Sequence, residues 1–235
     1  KYVTLADSYV SVNEALKHSS ASIGRSVNIE WIDSETLNGN LEHLDNFDGL
    51  LVPGGFGIRG SEGIIDTATY ALEKNIPYLG ICFGFQLAAI AFGRKMCNLD
   101  NANSTEIVAD TKNPIIDLLP EQKNETDMGG SLRLGANEIK ISQDSLARKI
   151  YSSDKIFKRH RHRYEFNTKY REEFLKKGMI FSGESDDGKR MEILEIPSHK
   201  FFLGVQFHPE FNSRPGFPED AFKTFVTAAS NAFQL

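Results

Sequence analysis

Apolar residues along this chain recur in two rhythms. Residues 47–52 (FDGLLV) and 76–81 (IPYLGI) are short, largely apolar runs, the form taken by strands buried on both faces. Residues 26–33 (SVNIEWID) alternate apolar and polar positions, the period of a half-buried strand. Residues 9–20, 62–75 and 84–95 carry helical spacing, with Val12, Ala15 and Leu16 on one stripe of the first. Strands alternating with helices predict βαβ units, hence an α/β fold with a mostly parallel central sheet and helices on both faces.

The second half has a different texture. Residues 112–141 bring turn formers and polar clusters before a strand-like stretch, and 153–167 are dense in cations. Residues 190–211 predict two strands joined at Pro197-Ser198. Residues 218–233 predict a closing amphipathic helix, with Phe222, Phe225, Val226 and Ala229 on one stripe. No repeat interrupts the pattern. Residues 1–235 read as a single domain, with 121–130 as its flexible loop.

Composition narrows the possibilities. Of 235 residues, 40% are hydrophobic and 25% charged, the balance of a globular chain. A net charge of −5 weighs against nucleic-acid binding, which ordinarily needs a basic excess. Two cysteines, Cys82 and Cys97, and no apolar leader point to the reducing cytoplasm. The sequons at Asn103 and Asn124 then become chance matches. The apolar run 76–93 invites a membrane span, but Pro77, Gly80 and Gly84 break its first half, and a buried strand followed by a helix accounts for it.

The stretch LVPGGFGIRG (51–60) contains G-x-G-x-x-G, which raises dinucleotide binding. That use needs an acidic residue at the end of the following strand to hold ribose, and Cys82 stands there instead. The cysteine has its own motif. Gly80-Ile81-Cys82-Phe83-Gly84 lies where strand should meet helix, a nucleophile elbow with sulfur in place of oxygen. The first helical turn favours negative charge at such a position, and the N–H of Phe83 is free to meet a developing oxyanion. A structural cysteine is the commoner fate of the residue; the flanking glycines favour the nucleophile. Cys97 lacks such a setting.

A thiolate nucleophile needs a proton carrier. His208, in GVQFHPEF, ends an apolar strand two residues before Glu210, so the acid can bond one ring nitrogen while the other faces sulfur. Bare backbone at Gly55 can approach a ligand closely and pair with Phe83 as a two-donor oxyanion hole. Lys158 to Arg163 (KRHRHR) also admits readings as a solvated basic strip, a nucleic-acid contact or a metal site at His160 and His162. No nearby acid or cysteine completes a zinc set in sequence, so no metal is expected.

In order and spacing, VPGGFG, GICFGFQ and GVQFHPE resemble the class I (triad) glutamine amidotransferases. PGGFGIRGSEG, NANSTE, DMGGSLRLG and RHRHRYEFN further resemble the amidotransferase domains of CTP synthases, over essentially the whole chain. The resemblance implies a flavodoxin-like sheet with an elbow, and L-glutamine as substrate. By motif it makes Cys82 the nucleophile, His208 the proton carrier and Glu210 its orienting partner, with Gly55 and Phe83 as oxyanion donors. Gly54, Phe56, Gln86, Glu106, Arg163 and Tyr164 match positions that shape the glutamine pocket. A carboxylate suits the α-amino group and a guanidinium the α-carboxylate.

The resemblance also implies no cofactor in this domain, but ATP, Mg²⁺ and a GTP effector in a full-length enzyme that aminates UTP. A synthetase domain of the same chain would be the partner, with tetramers only at full length, and Arg59 becomes a candidate for the GTP coupling. No G-x-x-x-x-G-K-[ST] occurs, and the chain, opening at "KY", reads as one half of such an enzyme. Two departures stand at the elbow, where Phe83 and Phe85 replace the family's usual Leu and Met. Rival readings are a Cys-His hydrolase of γ-glutamyl peptides and a non-catalytic module of the same fold.

Overall fold

The computed structural model describes residues 1–37, 39–119 and 132–230. The expected loop at 121–130 and residues 231–233 of the expected closing helix lie outside them. In chain order the main elements are α1 (Val10–Ser22), β1 (Leu50–Val52), α2 (Ser61–Lys74), β2 (Tyr78–Ile81), α3 (Phe83–Lys95), β3 (Ala102–Ser104) and β4 (Asn113–Asp117). Then follow β5 (Arg133–Ile141), α4 (Leu146–Tyr151), β6 (Lys155–His162), β7 (Glu165–Phe166), α5 (Arg171–Lys176), β8 (Ile180–Ser185), β9 (Met191–Glu195), β10 (Phe202–Val205) and α6 (Asp220–Ala229).

A seven-stranded sheet runs β1-β2-β10-β9-β8-β5-β6, and a three-stranded sheet runs β3-β4-β7. Alternate residues of β2 and β10 feed opposite cores. Tyr78 and Phe202 stack with centroids 4.6 Å apart beneath α2 and α3, whereas Leu79, Ile81, Leu203 and Val205 pack with α1 and α6. Helices on both faces follow from these fully apolar strands, since each face must be covered. No helix among the described residues is long and apolar enough to cross a membrane; the run 76–93 is divided between β2 and α3.

Two expectations need correction. The sheet is parallel only where β1, β2 and β10 meet, and every pairing from β10 outward to β6 is antiparallel. Parallel neighbours need a long crossover, whereas β8, β9 and β10 follow one another through short links. Residues 26–33 join no strand ladder. Their alternation is nonetheless real: Val27, Ile29 and Trp31 pack against the α1–α6 core, and Trp31 stacks on Tyr9 at 4.8 Å. Alternation records which side of an extended segment is covered, and a ladder additionally requires a strand alongside.

Candidate active site

The β2–α3 junction turns within one residue. Cys82 sits at φ 53°, ψ −97°, a conformation costing a non-glycine residue about 1–3 kcal/mol unless its surroundings impose it. They do. Its N–H donates to the carbonyl of Val205 at 2.7 Å, fixing the turn to β10. A Cβ on Gly80 would lie 2.7 Å from the backbone of Gly84, and one on Gly84 would strike the carbonyl oxygen of Val52. The two glycines flanking the motif are thus required by backbone approach.

Parallel pairing of β2 with β10 places Gly204 opposite Gly80 and Val205 opposite Ile81. The chain continuing past β10 therefore reaches the tip of the elbow, and His208 arrives there from 126 residues later in sequence (208 minus 82). Its N–H donates to the carbonyl of Arg159 at 2.8 Å, which holds it against β6. His208 Nδ1 is 2.8 Å from Glu210 Oε1, the Cys82 thiol faces the carbonyl of Arg161 at 3.9 Å, and a Cβ on Gly54 would touch both the His208 ring and Cys82. Burial pushes the imidazole's pKa down, but the neighbouring Cys82 and Glu210 outweigh it and hold the value at about 10. Cys82, His208 and Glu210 are brought together as their sequence motifs suggest.

The glycine loop lies over this group. A Cβ on Gly54 would stand 2.8 Å from His208 Cε1, and one on Gly55 would stand 3.4 Å from Phe83 Cδ1. Phe83 opens α3, so its N–H has no intrahelical acceptor. Phe56, in contrast, projects into solvent. The bulk at the elbow is absorbed locally: Phe85 is fully buried where Gly204 leaves space, and Phe83 lies under the Lys1 ammonium at 5.0 Å from its ring centroid.

The small sheet delivers the remaining candidates. Glu106 follows β3 and accepts the N–H of Gly57 at 2.9 Å. Burial raises its carboxyl pKa, opposed by that bond and by the charges of Lys1 and Arg163. Arg163 and Tyr164 form the two-residue link between β6 and β7. Buried Gln86, in the first turn of α3, donates from Nε2 to the Tyr164 carbonyl at 2.9 Å and to Gln206 Oε1 at 3.2 Å. Its own oxygen remains as the acceptor of that amide. Arg59 lies outside this ring, held by Glu35 and the carbonyl of Lys1.

Several participants escape a reading of motifs. Lys1 donates to the carbonyls of Phe56 and Gly57, the latter at 2.6 Å, bracing the glycine loop. Nothing in a lone lysine announces that. Gln206 is fully buried beside Gln86; its place two residues before His208 was the one available signal. The histidines of the cationic stretch turn inward: His160 faces Glu192 at 3.6 Å and His162 faces Glu165 at 3.0 Å. Strand alternation predicts inward facing for every second residue of that stretch, but not their acidic partners.

A cysteine on a strained strand-to-helix turn, beside a carboxylate-oriented imidazole and a glycine loop, defines a class of thiol-dependent acyl-transfer site. The profile of the class I glutamine amidotransferases matches residues 4–228, and the chain belongs to that family. It is 53% identical over 97% of its length to a CTP synthase of Archaeoglobus fulgidus and 52% identical over 97% to one of Halalkalibacterium halodurans. It spans 43% of the length of each. It superimposes on the glutaminase domain of Trypanosoma brucei CTPS, solved with bound acivicin, with a TM-score of 0.93 and 36% identity. That match covers 100% of this chain and 93% of the other.

Proposed function

We propose that this chain hydrolyses L-glutamine to glutamate and ammonia through a thioester on Cys82. One observation carries the reading: a backbone-strained cysteine and a half-buried histidine that a carboxylate orients at 2.8 Å lie side by side under Gly54. At a value of about 10, the imidazole of His208 rests protonated at neutral pH, placed to supply the proton that the leaving group needs. The thiolate attacks the side-chain amide carbon of glutamine, and the resulting oxyanion takes hydrogen bonds from the N–H groups of Gly55 and Phe83. One such donor is worth about 3–4 kcal/mol of barrier. The imidazolium gives its proton to the departing amine, so ammonia leaves and a γ-glutamyl thioester remains. The neutral imidazole then takes a proton from water as its oxygen attacks, releasing glutamate and restoring the thiolate.

Glu106 suits the α-amino group of the substrate and Arg163 its α-carboxylate, with the oxygen of Gln86 as a further acceptor. Gly54 and Phe56 shape the mouth, and Tyr164 lines the wall. The relatives of known name are more than twice as long as this stretch, which supports a wider role. In that role a synthetase domain of a full-length cytoplasmic enzyme receives the ammonia and aminates UTP to CTP with ATP and Mg²⁺. GTP would promote the hydrolysis, with Arg59 near the coupling surface.

The test is mass spectrometry after incubation with acivicin, a glutamine analogue, alongside glutamate release. A single adduct on Cys82 is expected, and Cys82→Ala should abolish it and lower turnover by about 10⁴-fold or more while the fold persists. In that variant burial acts on His208 without the sulfur, so its pKa, followed by NMR, should fall from about 10. Undiminished labelling of the variant would remove Cys82 from the mechanism. Faster cleavage of γ-glutamyl peptides than of glutamine would replace the substrate.

A further inference from the structure

The chain passes from the seven-stranded sheet to the three-stranded sheet in two residues. β6 ends at His162, β7 begins at Glu165, and only Arg163 and Tyr164 lie between. Across the neck of that crossing, His162 Nε2 is 3.0 Å from Glu165 Oε1, with His162 5% and Glu165 0% exposed. Arg190 Nε, on the link from β8 to β9, lies 3.3 Å from the same oxygen. Behind them Glu192 is fully buried, ion-paired with Arg133 and 3.6 Å from His160. On the other side, the Tyr164 carbonyl is held by Gln86 of the elbow helix at 2.9 Å.

A buried ionic group is a poor way to gain stability, because desolvation cancels most of the attraction and apolar side chains of similar volume do as well. What an apolar pair lacks is direction. A hydrogen bond between the residues on either side of a two-residue link sets the separation of its ends. With Tyr164 fixed by its carbonyl, the orientation of Arg163 then has little freedom left.

We propose that the His162–Glu165 pair, tied to Arg190, is a positioning device that sets Arg163 and Tyr164 for the amino-acid end of glutamine and so governs KM. The inference rests on the glutaminase reading above.

Glu165→Gln keeps the volume and weakens the pair. It is expected to raise KM for glutamine by about 10-fold or more with kcat within about 3-fold, the split that marks lost ground-state binding. His162→Gln retains an N–H near the ring Nε2 position and should keep KM within about 3-fold of the parent, whereas His162→Leu should match Glu165→Gln. In an Arg163→Ala background Glu165→Gln should add less than about 3-fold, because the residue it positions is gone. Thermal melts establish folding, and should Glu165→Gln fail to fold, the two His162 variants carry the same comparison.

An unchanged KM in Glu165→Gln, a loss confined to kcat, or a full extra effect on top of Arg163→Ala overturns the proposal. Alkylation of Cys82 by iodoacetamide separates the two levels. If glutamine fails to protect the parent chain, the glutaminase reading falls and this inference with it. If glutamine protects the parent and Glu165→Gln equally at the same concentration, only the positioning role falls.

Discussion

The elbow and the β6–β7 crossing are joined through Gln86 and the Tyr164 carbonyl at 2.9 Å, and their geometry is set by opposite means. At the elbow, geometry comes from missing atoms. Gly54, Gly80, Gly84 and Gly204 let backbones and rings approach until an added methyl would collide. At the crossing it comes from added ones: His160, His162, Glu165, Glu192, Arg133 and Arg190 pack polar and ionic side chains against one another. Close approach suits a nucleophile and an oxyanion hole, where a few tenths of an ångström alter the barrier. Directional pairing suits two large polar side chains that must be aimed.

The contrast is sharpest within one helix. Gly84→Ala and Gly93→Ala are the same substitution in α3. A Cβ on Gly84 meets the carbonyl of Val52, while one on Gly93 meets the side chains of Phe174 and Ile115 at 3.3–3.5 Å. Urea denaturation should show Gly84→Ala destabilising by at least about 3 kcal/mol. Gly93→Ala should stay within about 1 kcal/mol of the parent, since helix propensity gained there offsets slight crowding. Equal effects would mean that the elbow tolerates a methyl and that backbone approach does not set it.

Gly54→Ala probes the elbow through activity. Its methyl would sit 2.8 Å from His208 Cε1, so the imidazole must shift away from Cys82. The expected result is a fall in kcat of about 100-fold with little change in stability. Unaltered kcat would show that the ring has room to yield.

The crossing should reveal itself by pH. Burial first, then the charges of Arg133, His162 and other neighbours, hold His160 down at about 2. An unfolded chain protonates that ring below its ordinary value of about 6.5, while the folded chain refuses the proton. Stability therefore declines as pH falls from about 6.5 toward 2, by about 1.4 kcal/mol per unit for this one group. Denaturation at pH 7 and pH 5 should show His160→Phe losing part of the acid sensitivity of the parent. An identical slope in both would assign the sensitivity elsewhere.

The two regions also differ in how far they can be read from residues alone. Gly80-Ile81-Cys82-Phe83-Gly84 states its conformation locally, because few residues other than glycine survive that approach. The glycine loop was legible for the same reason. His208 and Glu210 do pair as their spacing suggests, but across the 3-10 turn Pro209–Asn212 beyond β10 and not along a strand face. Lys1, Gln206 and the acids facing His160 and His162 were not, because each acts on a partner distant in sequence. The alternation at 26–33 was legible as a covered face but not as an absent ladder. The run at 158–163 conveyed a charged strip, whereas two of its six residues, His160 and His162, are buried facing carboxylates.

Sequence by itself determined the βαβ half, the elbow and the kinds of group gathered round it, since apolar periodicity and glycine placement act over a few residues. Tertiary structure alone decided the antiparallel half of the large sheet, the second small sheet, and the contacts that bring Glu106 to the glycine loop and Gln86 to the β6–β7 link. Those depend on which strands become neighbours and which charges find partners once water is excluded. Such energies belong to pairs of distant segments and are written in neither segment alone.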